Sequence, residues 1–241
     1  MEIKKAIAMV TGANRGIGRE LVRALLDAGV KKVYASARDI NSLTAVKALD
    51  PVRVVALQLD VTDRQRVAAL PKEASDVNLL INNAGVLDFG GILDVPLDAV
   101  TRNFETNFYG KLLMARAFAP VIERNGGGAI VNMLSFVSLV SAPGLSGYNA
   151  SKAAAWSMTL SLRASLAAKG ITVHGVFPTG VDTDMLAGVE VPKANPADVA
   201  KAIVSGLALN QEDIFPDAMS TQVYAAWKQD HKAVEKQFAT M

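Results

Sequence analysis

Cysteine is absent from this chain of 241 residues, and histidine is scarce. Without cysteine, neither a disulfide framework nor a thiolate metal site can form. The two histidines lie far apart, His174 in an apolar segment and His231 in a charged one. Neither placement favours a metal cluster or a catalytic triad, so we expect no bound metal.

Long apolar runs and basic tracts are also missing. No stretch approaches the roughly 20 apolar residues that cross a bilayer, so no membrane partner is expected. Lysine and arginine number 25 against 23 acidic residues, and the net charge of +2 is spread along the chain. We therefore expect no nucleic-acid partner. The first residues lead directly into a predicted strand without a signal-peptide pattern, and the cytoplasm is the expected compartment.

The chain does contain short apolar segments that alternate with longer amphipathic ones. The predicted buried strands are residues 6–10, 32–37, 52–59, 78–81, 129–134 and 171–177. The predicted helices are residues 16–28, 42–49, 63–74, 97–124 and 147–169. This order predicts an α/β fold with a doubly wound parallel sheet of the Rossmann type, in a single domain over residues 1–241. After Asn195 we expect a helix to about Leu209, a short strand near residues 214–215 and a polar helix from about Ser220.

Glycine is concentrated directly after the first strand. The segment, here called the glycine turn, is Thr11-Gly12-Ala13-Asn14-Arg15-Gly16-Ile17-Gly18, and a predicted helix follows it. Glycine lets the backbone approach a pyrophosphate closely, and a helix N-terminus offers free N–H groups to its charge. A turn that only reverses the chain is the structural alternative.

Tyr148 and Lys152 stand four residues apart, so on a helix their side chains share one face. An ammonium beside a phenol favours the phenolate and is predicted to lower the phenol's pKa from its usual value of about 10. Such a phenol can serve as a general acid. A solvated surface pair is the alternative that spacing alone leaves open.

The glycine turn has the spacing Gly-x-x-x-Gly-x-Gly, and further motifs follow it in order. They are Asp60-Val61, Asn82-Asn83-Ala84-Gly85, Asn107, Ser135 and Tyr148-Asn149-Ala150-Ser151-Lys152. In these motifs, which extend through most of its length, the chain resembles the compact short-chain dehydrogenase/reductase family. The resemblance implies an oxidoreductase that uses a nicotinamide dinucleotide.

The family resemblance implies a role for each of four catalytic residues. Tyr148 donates a proton to the substrate carbonyl oxygen, and Lys152 also bonds the nicotinamide ribose. Ser135 polarises the same carbonyl, with Ser138 as the alternative in the same loop. Asn107 is implied to hold a water that links Lys152 to solvent.

The end of the second strand indicates which dinucleotide is bound. An acid at this position selects NAD, whereas the 2′-phosphate of NADP needs cations. Here the strand leads into Arg38, whose fork geometry suits a phosphate, and Arg15 in the glycine turn is placed to reach the same group. Asp39 is predicted to cap the next helix, to pair with Arg38 or to weaken the preference for phosphate. We expect NADP(H).

The remaining cofactor contacts follow from the resemblance. Asp60 is implied to bond the adenine amino group, and the backbone of residues 83–85 to pack against the ribose. Asn82 or Asn83 alternatively serves to tie adjacent strands together. The predicted cofactor-binding residues are Gly12, Asn14, Arg15, Gly16, Ile17, Gly18, Arg38, Asp60, Val61, Asn83, Ala84, Gly85, Tyr148, Lys152, Pro178, Val181 and Thr183.

The chain departs from the family after the sixth strand, where Thr179 replaces the usual glycine of a Pro-Gly pair. We expect the neighbouring Gly180 to absorb the altered backbone. Val181 is then predicted to bond the nicotinamide amide, and Thr183 to contact the pyrophosphate or that amide.

The substrate site is expected in the C-terminal third of the chain. Residues 186–192 form a short covering segment, which favours an open pocket and a broad range of carbonyl substrates. Met185, Met219 and Trp227 are candidates to line the pocket, with plain packing as the alternative. The predicted reaction is reversible hydride transfer between NADP(H) and a small to medium apolar ketone or aldehyde, or the corresponding alcohol.

Two further expectations concern function and assembly. A protein that senses dinucleotides without catalysis is the alternative to an enzyme, although the complete set of four catalytic residues argues against it. The family resemblance also implies a homo-oligomer, a tetramer or dimer, built through the predicted helices 97–124 and 147–169.

Overall fold

The computed structural model describes residues 1–240 and contains a parallel sheet flanked by helices. The strands are β1 (Ile7–Thr11), β2 (Lys32–Ala37), β3 (Val54–Gln58), β4 (Leu79–Asn82), β5 (Gly128–Met133), β6 (Ile171–Val176) and β7 (Asp213–Ile214). Their order is β3-β2-β1-β4-β5-β6-β7, and all neighbours are parallel. The predicted doubly wound parallel sheet is confirmed.

Helices cover both faces of the sheet. They are α1 (Gly16–Asp27), α2 (Thr44–Lys47), α3 (Arg64–Glu73), α4 (Leu97–Phe104), α5 (Lys111–Arg124), α6 (Ser146–Leu166), α7 (Pro196–Ala208), α8 (Ala218–Gln229) and α9 (His231–Phe238). Successive side chains of a strand point to opposite faces, so Val10 packs in the layer under α1 and α7, while Met9 packs in the layer under α3 and α5. Within residues 1–240, every helix is too short or too polar to span a membrane.

Three predicted elements differ from those observed. β3 begins at Val54, because Val52 is 91% exposed and lies in a turn held by the Asp50 carboxylate. The predicted helix 97–124 is interrupted by a π-helical turn, Glu105–Gly110, between α4 and α5. The predicted C-terminal helix is two helices, because Asp230 leaves helical geometry and caps α9.

The position of the site follows from the strand order. The chain winds outward from β1 to β2 and β3, then returns to place β4 on the other side of β1. The loops after β1 and β4 therefore diverge to opposite faces of the sheet and leave a crevice at the carboxyl ends of the strands. In open α/β sheets this crevice is where ligands bind.

Candidate active site

A cavity of about 1310 Å³ lies at the carboxyl ends of the strands. One end is formed by the glycine turn, and the other by residues that include Met219 and Phe238. All seventeen predicted cofactor-binding residues line it, as do Ser135, Tyr148 and Lys152, but Asn107 is not among the lining residues. The structure therefore brings together nearly all of the residues that the sequence singled out.

The glycine turn has the shape that a bound pyrophosphate requires. Gly12 and Gly16 have left-handed φ values of 63° and 52°. A Cβ on Gly18 would lie only 2.1 Å from the carbonyl oxygen of Gly12, so this position has no room for a side chain. No side chain caps the N-terminus of α1 at Arg15, which leaves backbone N–H groups available to an anion.

The glycine turn is tied to the end of β4 by a polar network. The Thr11 hydroxyl oxygen accepts hydrogen bonds from the backbone N–H groups of Asn83 and Ala84, each at 3.0 Å. The Asn83 side-chain amide donates to the carbonyl oxygens of Thr11 and Gly12, at 2.9 and 3.0 Å. Asn83 thus links β1 to β4 while also lining the cavity.

Asn82 ties strands together below the cavity. Its side-chain amide donates to Asn132 Oδ1 at 2.9 Å, and Asn132 donates in turn to Thr159 Oγ1 at 3.0 Å. All three side chains are almost fully buried, at 2% exposure or less. This chain connects β4 and β5 to α6, which matches the strand-tying alternative for Asn82.

Two arginines stand at the rim of the cavity near the end of β2. The Arg38 guanidinium forms no ion pair within residues 1–240 and lines the cavity. Arg15 instead pairs with Asp184, with Nη1 and Oδ2 2.8 Å apart, and both side chains are about two-thirds exposed. Asp39 accepts a hydrogen bond from the Asn41 N–H at 2.9 Å, so it caps a 3₁₀ turn. Of the three predicted roles of Asp39, capping is the one that the structure shows.

Tyr148 and Lys152 lie on the inner face of α6, 9% and 4% exposed. The Lys152 ammonium donates to the Met133 carbonyl oxygen at 2.9 Å and lies 5.3 Å from the centroid of the Tyr148 ring. Burial lowers the pKa of Lys152 well below its usual 10.5, and the neighbouring Lys111 lowers it further. The predicted shared face is present, and the surface-pair alternative is wrong.

The predicted lowering of the tyrosine pKa is also wrong. Burial raises the pKa of Tyr148 to about 12, and the nearby Ser135 side chain opposes this rise in pKa only in part. Desolvation disfavours the phenolate more strongly than the neighbouring groups favour it. The phenol is therefore protonated at neutral pH.

Ser135 and Ser138 have different positions. Ser135 lines the cavity beside Tyr148, and its hydroxyl contacts the carbonyl oxygen of Pro178 at 3.4 Å. The Ser138 hydroxyl oxygen accepts a hydrogen bond from the Ser135 N–H at 3.2 Å. Of the two, only Ser135 presents its hydroxyl to the cavity, whereas Ser138 supports the Ser135 backbone.

Asn107 lies in the π-helical turn and is fully buried. Its side-chain amide accepts from the Val86 N–H at 3.0 Å and donates to the Val86 carbonyl at 2.9 Å and to Ser151 Oγ at 3.0 Å. The side chain therefore anchors the segment after β4 to α6, next to Lys152. π-Helical turns leave backbone groups without their usual partners and often occur at functional sites.

Lys111, at the start of α5, was not predicted from the sequence. Its side chain is 2% exposed, and its ammonium donates to the Ala84 carbonyl oxygen at 3.0 Å. Burial lowers its pKa from 10.5 to about 7. The sequence did contain a feature that could have indicated its burial: Lys111 stands four positions after Asn107, on the apolar side of a predicted helix.

The segment after β6 accommodates Thr179 differently from the prediction. Gly180 has no left-handed φ, and a Cβ there would lie 2.9 Å from the Pro192 carbonyl oxygen. Thr179 is instead held by Asp217, which accepts from its backbone N–H at 3.0 Å and from its hydroxyl at 2.6 Å. Gly180 thus provides space for the returning chain and does not absorb an altered backbone.

The substrate end of the cavity is largely apolar. Met185 and Met219 line it, whereas Trp227 packs against Tyr224 with their ring centroids 6.0 Å apart. Phe238 of α9 also lines the cavity and packs against Phe136, with ring centroids 5.4 Å apart. Phe238 was not predicted, because nothing in its local sequence indicates that the last helix folds back to this place.

Comparison with known proteins agrees with this geometry. The family described as short chain dehydrogenase matches residues 6–193. The chain is 31% identical to a galactitol 2-dehydrogenase from Agrobacterium fabrum, covering 89% of each sequence. A short chain dehydrogenase from Burkholderia cenocepacia, solved in complex with NADP, superposes with a TM-score of 0.92 at 36% identity over 99% of each chain.

A second solved structure has a different cofactor. It is a short chain dehydrogenase/reductase from Burkholderia phymatum in complex with NAD, with a TM-score of 0.87 and 25% identity, covering 98% of this chain and 96% of that one. The fold, the glycine turn and the Tyr148–Lys152 pair thus occur in a chain whose sequence matches one family over most of its length. The protein belongs to the short-chain dehydrogenase/reductase family of oxidoreductases.

Proposed function

We propose that this oxidoreductase transfers a hydride between NADP(H) and a small to medium apolar ketone or aldehyde, acting reversibly on the corresponding alcohol. The observation that carries the proposal is the protonated, buried phenol of Tyr148 inside the cavity, with Ser135 beside it and Lys152 over its ring. In reduction the carbonyl oxygen needs a proton. The Tyr148 phenol lies in the cavity beside Ser135 and carries a proton that it can give.

Each residue has a part in the proposed reduction. A bound nicotinamide dinucleotide supplies the hydride, which the carbonyl carbon accepts. Tyr148 gives its proton to the carbonyl oxygen, so that an alcohol forms. Ser135 donates a hydrogen bond to that oxygen, and removing one such fixed donor typically costs about 10²–10³ in rate.

Lys152 and Asn107 are proposed to help Tyr148 regain its proton after each transfer. The Lys152 side chain, held by the Met133 carbonyl, would bond the nicotinamide ribose, and in its protonated form it would stabilise the phenolate left after proton transfer. The Asn107 side chain is committed to Val86 and Ser151. We therefore propose that the backbone carbonyl of Asn107, in the π-helical turn, binds the water that links Lys152 to solvent.

The preference for NADP(H) rests on Arg38 at the end of β2, which has no ion-pair partner among residues 1–240, with Arg15 within the same rim. A 2′-phosphate offers the bidentate geometry that arginine favours. Asp60 and Val61 are proposed for the adenine end, and Asn14, Ile17 and residues 83–85 for the pyrophosphate and ribose. Pro178, Val181 and Thr183 are proposed for the nicotinamide end.

The substrate class rests on the cavity wall opposite the glycine turn. Met185, Met219 and Phe238 present apolar surface there, which favours a ketone with an apolar substituent.

We propose that one domain carries both the cofactor site and this wall. The cytoplasm remains the predicted compartment. Assembly through residues 97–124 and 147–169 also remains a prediction that light scattering would test. Leu160 of α6 is 46% exposed.

The test is an assay of cofactor consumption over ketones, aldehydes, steroids and sugars, with NADPH and NADH run in parallel. We expect turnover with apolar ketones and a higher kcat/KM with NADPH. Tyr148→Phe should lower kcat by at least about 10²-fold, the usual worth of a positioned general acid, with an unchanged NADPH dissociation constant. Near-normal turnover by this variant would disprove the role of Tyr148.

The same assay separates the enzyme from a dinucleotide sensor. Tight NADPH binding without turnover on any carbonyl class would support the sensor. The buried Tyr148 and Lys152 argue against it, because burying two ionisable groups is costly and is common at catalytic sites.

A further inference from the structure

Thr179 and Asp217 form a two-point contact that connects two parts of the cavity wall. The Thr179 backbone N–H donates to Asp217 Oδ2 at 3.0 Å, and its hydroxyl donates to Oδ1 at 2.6 Å. Asp217 is also the N-cap of α8, because Oδ1 accepts from the Ser220 N–H at 2.7 Å. One carboxylate therefore holds both the segment after β6 and the start of α8.

The segment on the Thr179 side belongs to the cofactor and catalytic end. Here it is called the cofactor loop and comprises residues 178–183. The carbonyl oxygen of Pro178 accepts from the Phe136 N–H at 2.9 Å and lies 3.4 Å from the Ser135 hydroxyl. The Phe136 N–H thus holds the Pro178 end of the cofactor loop beside Ser135 independently of Asp217.

The part on the Asp217 side belongs to the substrate end. Here it is called the C-terminal wall and comprises α8 and α9. Met219 lies two residues after Asp217 and lines the cavity, and Phe238 lines it from α9. Residues of both parts therefore line the same cavity, and the Thr179–Asp217 contact joins the two parts.

The other contacts that hold the C-terminal wall are mostly apolar. Phe177, at the end of β6, stacks on Phe215 with ring centroids 5.0 Å apart, and Phe215 stacks on Tyr224 of α8 at 3.8 Å. Nearly parallel rings can slide over one another at little cost, because apolar contact has no strong directional preference. Hydrogen bonds to a carboxylate are directional, and two of them fix an orientation as well as a distance.

We propose that Thr179 and Asp217 are a positioning pair that sets the C-terminal wall against the cofactor loop and so determines which apolar substituents the enzyme accepts. This rests on the proposed function. The family resemblance places glycine at position 179, which offers no hydroxyl, so the second hydrogen bond is a feature of this chain. The pair favours ketones whose apolar group reaches Met219 and Phe238, and it leaves the smallest ketones unaffected.

The test compares Thr179→Val with Thr179→Ser. Valine keeps the β-branched shape and the backbone N–H but lacks the hydroxyl, whereas serine keeps the hydroxyl. For a ketone with a bulky apolar group, Thr179→Val should raise KM by about tenfold, the factor expected for one charge-assisted hydrogen bond. KM for the smallest accepted ketone, kcat and the NADPH dissociation constant should stay within twofold of wild type. Thr179→Ser should restore the wild-type KM.

Two further measurements keep the outcome decisive. Asp217→Asn retains Oδ1 for the α8 cap but places an amide NH₂ against the Thr179 N–H, so it breaks the hydrogen bond that Thr179→Val keeps. Both changes weaken the same link between the cofactor loop and the C-terminal wall, so the double variant should raise KM by less than the product of the two separate increases. Amide hydrogen exchange of residues 218–238 in the NADPH complex should be faster in Thr179→Val than in Thr179→Ser. An equal KM increase for all ketones, or a lowered melting temperature without the KM difference, would overturn the proposal.

Failure of the proposed function would be distinguishable. If wild type reduces no carbonyl compound, the proposed function fails, and the specificity role of the pair fails with it. The exchange difference between Thr179→Val and Thr179→Ser would still show whether the pair positions the C-terminal wall. If wild type is active, and Thr179→Val and Thr179→Ser have the same KM for each ketone, only the role of the Thr179–Asp217 pair is overturned.

Discussion

The cofactor end and the substrate end of the cavity are held by different kinds of contact. At the cofactor end, the glycine turn is fixed by backbone geometry and by Thr11 and Asn83, whose polar atoms bond the main chain. At the substrate end, α8 and α9 pack through stacked rings, and the Asp217 carboxylate joins α8 to Thr179. The contacts at the cofactor end thus bond main-chain atoms, whereas those at the substrate end mostly join one side chain to another.

This difference indicates how one fold serves several substrates. A dinucleotide has the same pyrophosphate in every member of the family, so the cofactor end has little freedom to vary. The substrate end can change its side chains without disturbing that site. The three predictions that follow test how strictly the two ends differ.

The largest expected effect concerns Lys111, a buried charged side chain that bonds the Ala84 backbone near the cofactor end. In the folded protein burial holds its pKa near 7, whereas in the unfolded chain it titrates near 10.5. Between these pH values the unfolded chain binds the additional proton, so this group makes the protein more stable as pH rises from 7 to 10.5. Below pH 7 the full cost of charging the buried amine applies.

Lys111→Met removes that cost and keeps a flexible, unbranched side chain. At 1.36 kcal/mol per pKa unit, and after the loss of the hydrogen bond to Ala84, we expect a gain of about 2–4 kcal/mol in the free energy of unfolding at pH 6. The gain should shrink toward pH 10. Urea unfolding from pH 6 to pH 10 measures it, with Lys169→Met as the control, since the exposed Lys169–Glu123 pair should contribute less than about 1 kcal/mol. A gain independent of pH would contradict the titration of Lys111.

A smaller effect is expected from adding one methyl group to Gly18 of the glycine turn, with Gly91, outside the cavity lining, as the control. At Gly18 the new Cβ would lie 2.1 Å from the Gly12 carbonyl oxygen, so Gly18→Ala must displace the glycine turn. We expect a loss of about 1–3 kcal/mol in the free energy of unfolding and at least a tenfold weaker NADPH affinity, measured by fluorescence titration. At Gly91, close to the cavity residue Phe89, the nearest atom to a new Cβ is Asp94 Oδ2 at 3.5 Å. Equal losses from Gly18→Ala and Gly91→Ala would contradict the explanation that the close approach at Gly18 makes this position sensitive.

The contrast also explains what the sequence could predict. The strand order and the glycine turn follow from local features, since apolar runs and glycines restrict the backbone wherever they occur. Tyr148 and Lys152 were placed on one helix face by their spacing. The predicted direction of the Tyr148 pKa shift was wrong. The pKa of this phenol depends on its burial by the whole fold more than on the lysine four residues away.

The substrate end was harder to predict, because its contacts join distant parts of the chain. Thr179 and Asp217 are 38 residues apart, and neither position suggests the other. Phe238 reaches the cavity only because Asp230 separates α8 from α9 and redirects the chain. The burial of Lys111 likewise depends on how α5 packs beneath the segment after β4.

The smallest expected effect lies where the two ends meet. Arg15 of the glycine turn pairs with Asp184, two residues before the substrate-covering segment 186–192, whereas Arg38 has no ion-pair partner within residues 1–240. Arg38→Asp should weaken NADPH binding by about tenfold and shift the ratio of kcat/KM toward NADH, because it replaces a phosphate-binding cation with an acid. Asp184→Asn is the matched control: it frees Arg15 without changing Arg38 and should leave NADPH binding unchanged or slightly tighter. If Arg38→Asp retains the wild-type preference and Asp184→Asn changes it, then Arg15 reads the 2′-phosphate, and cofactor choice is coupled to the substrate end.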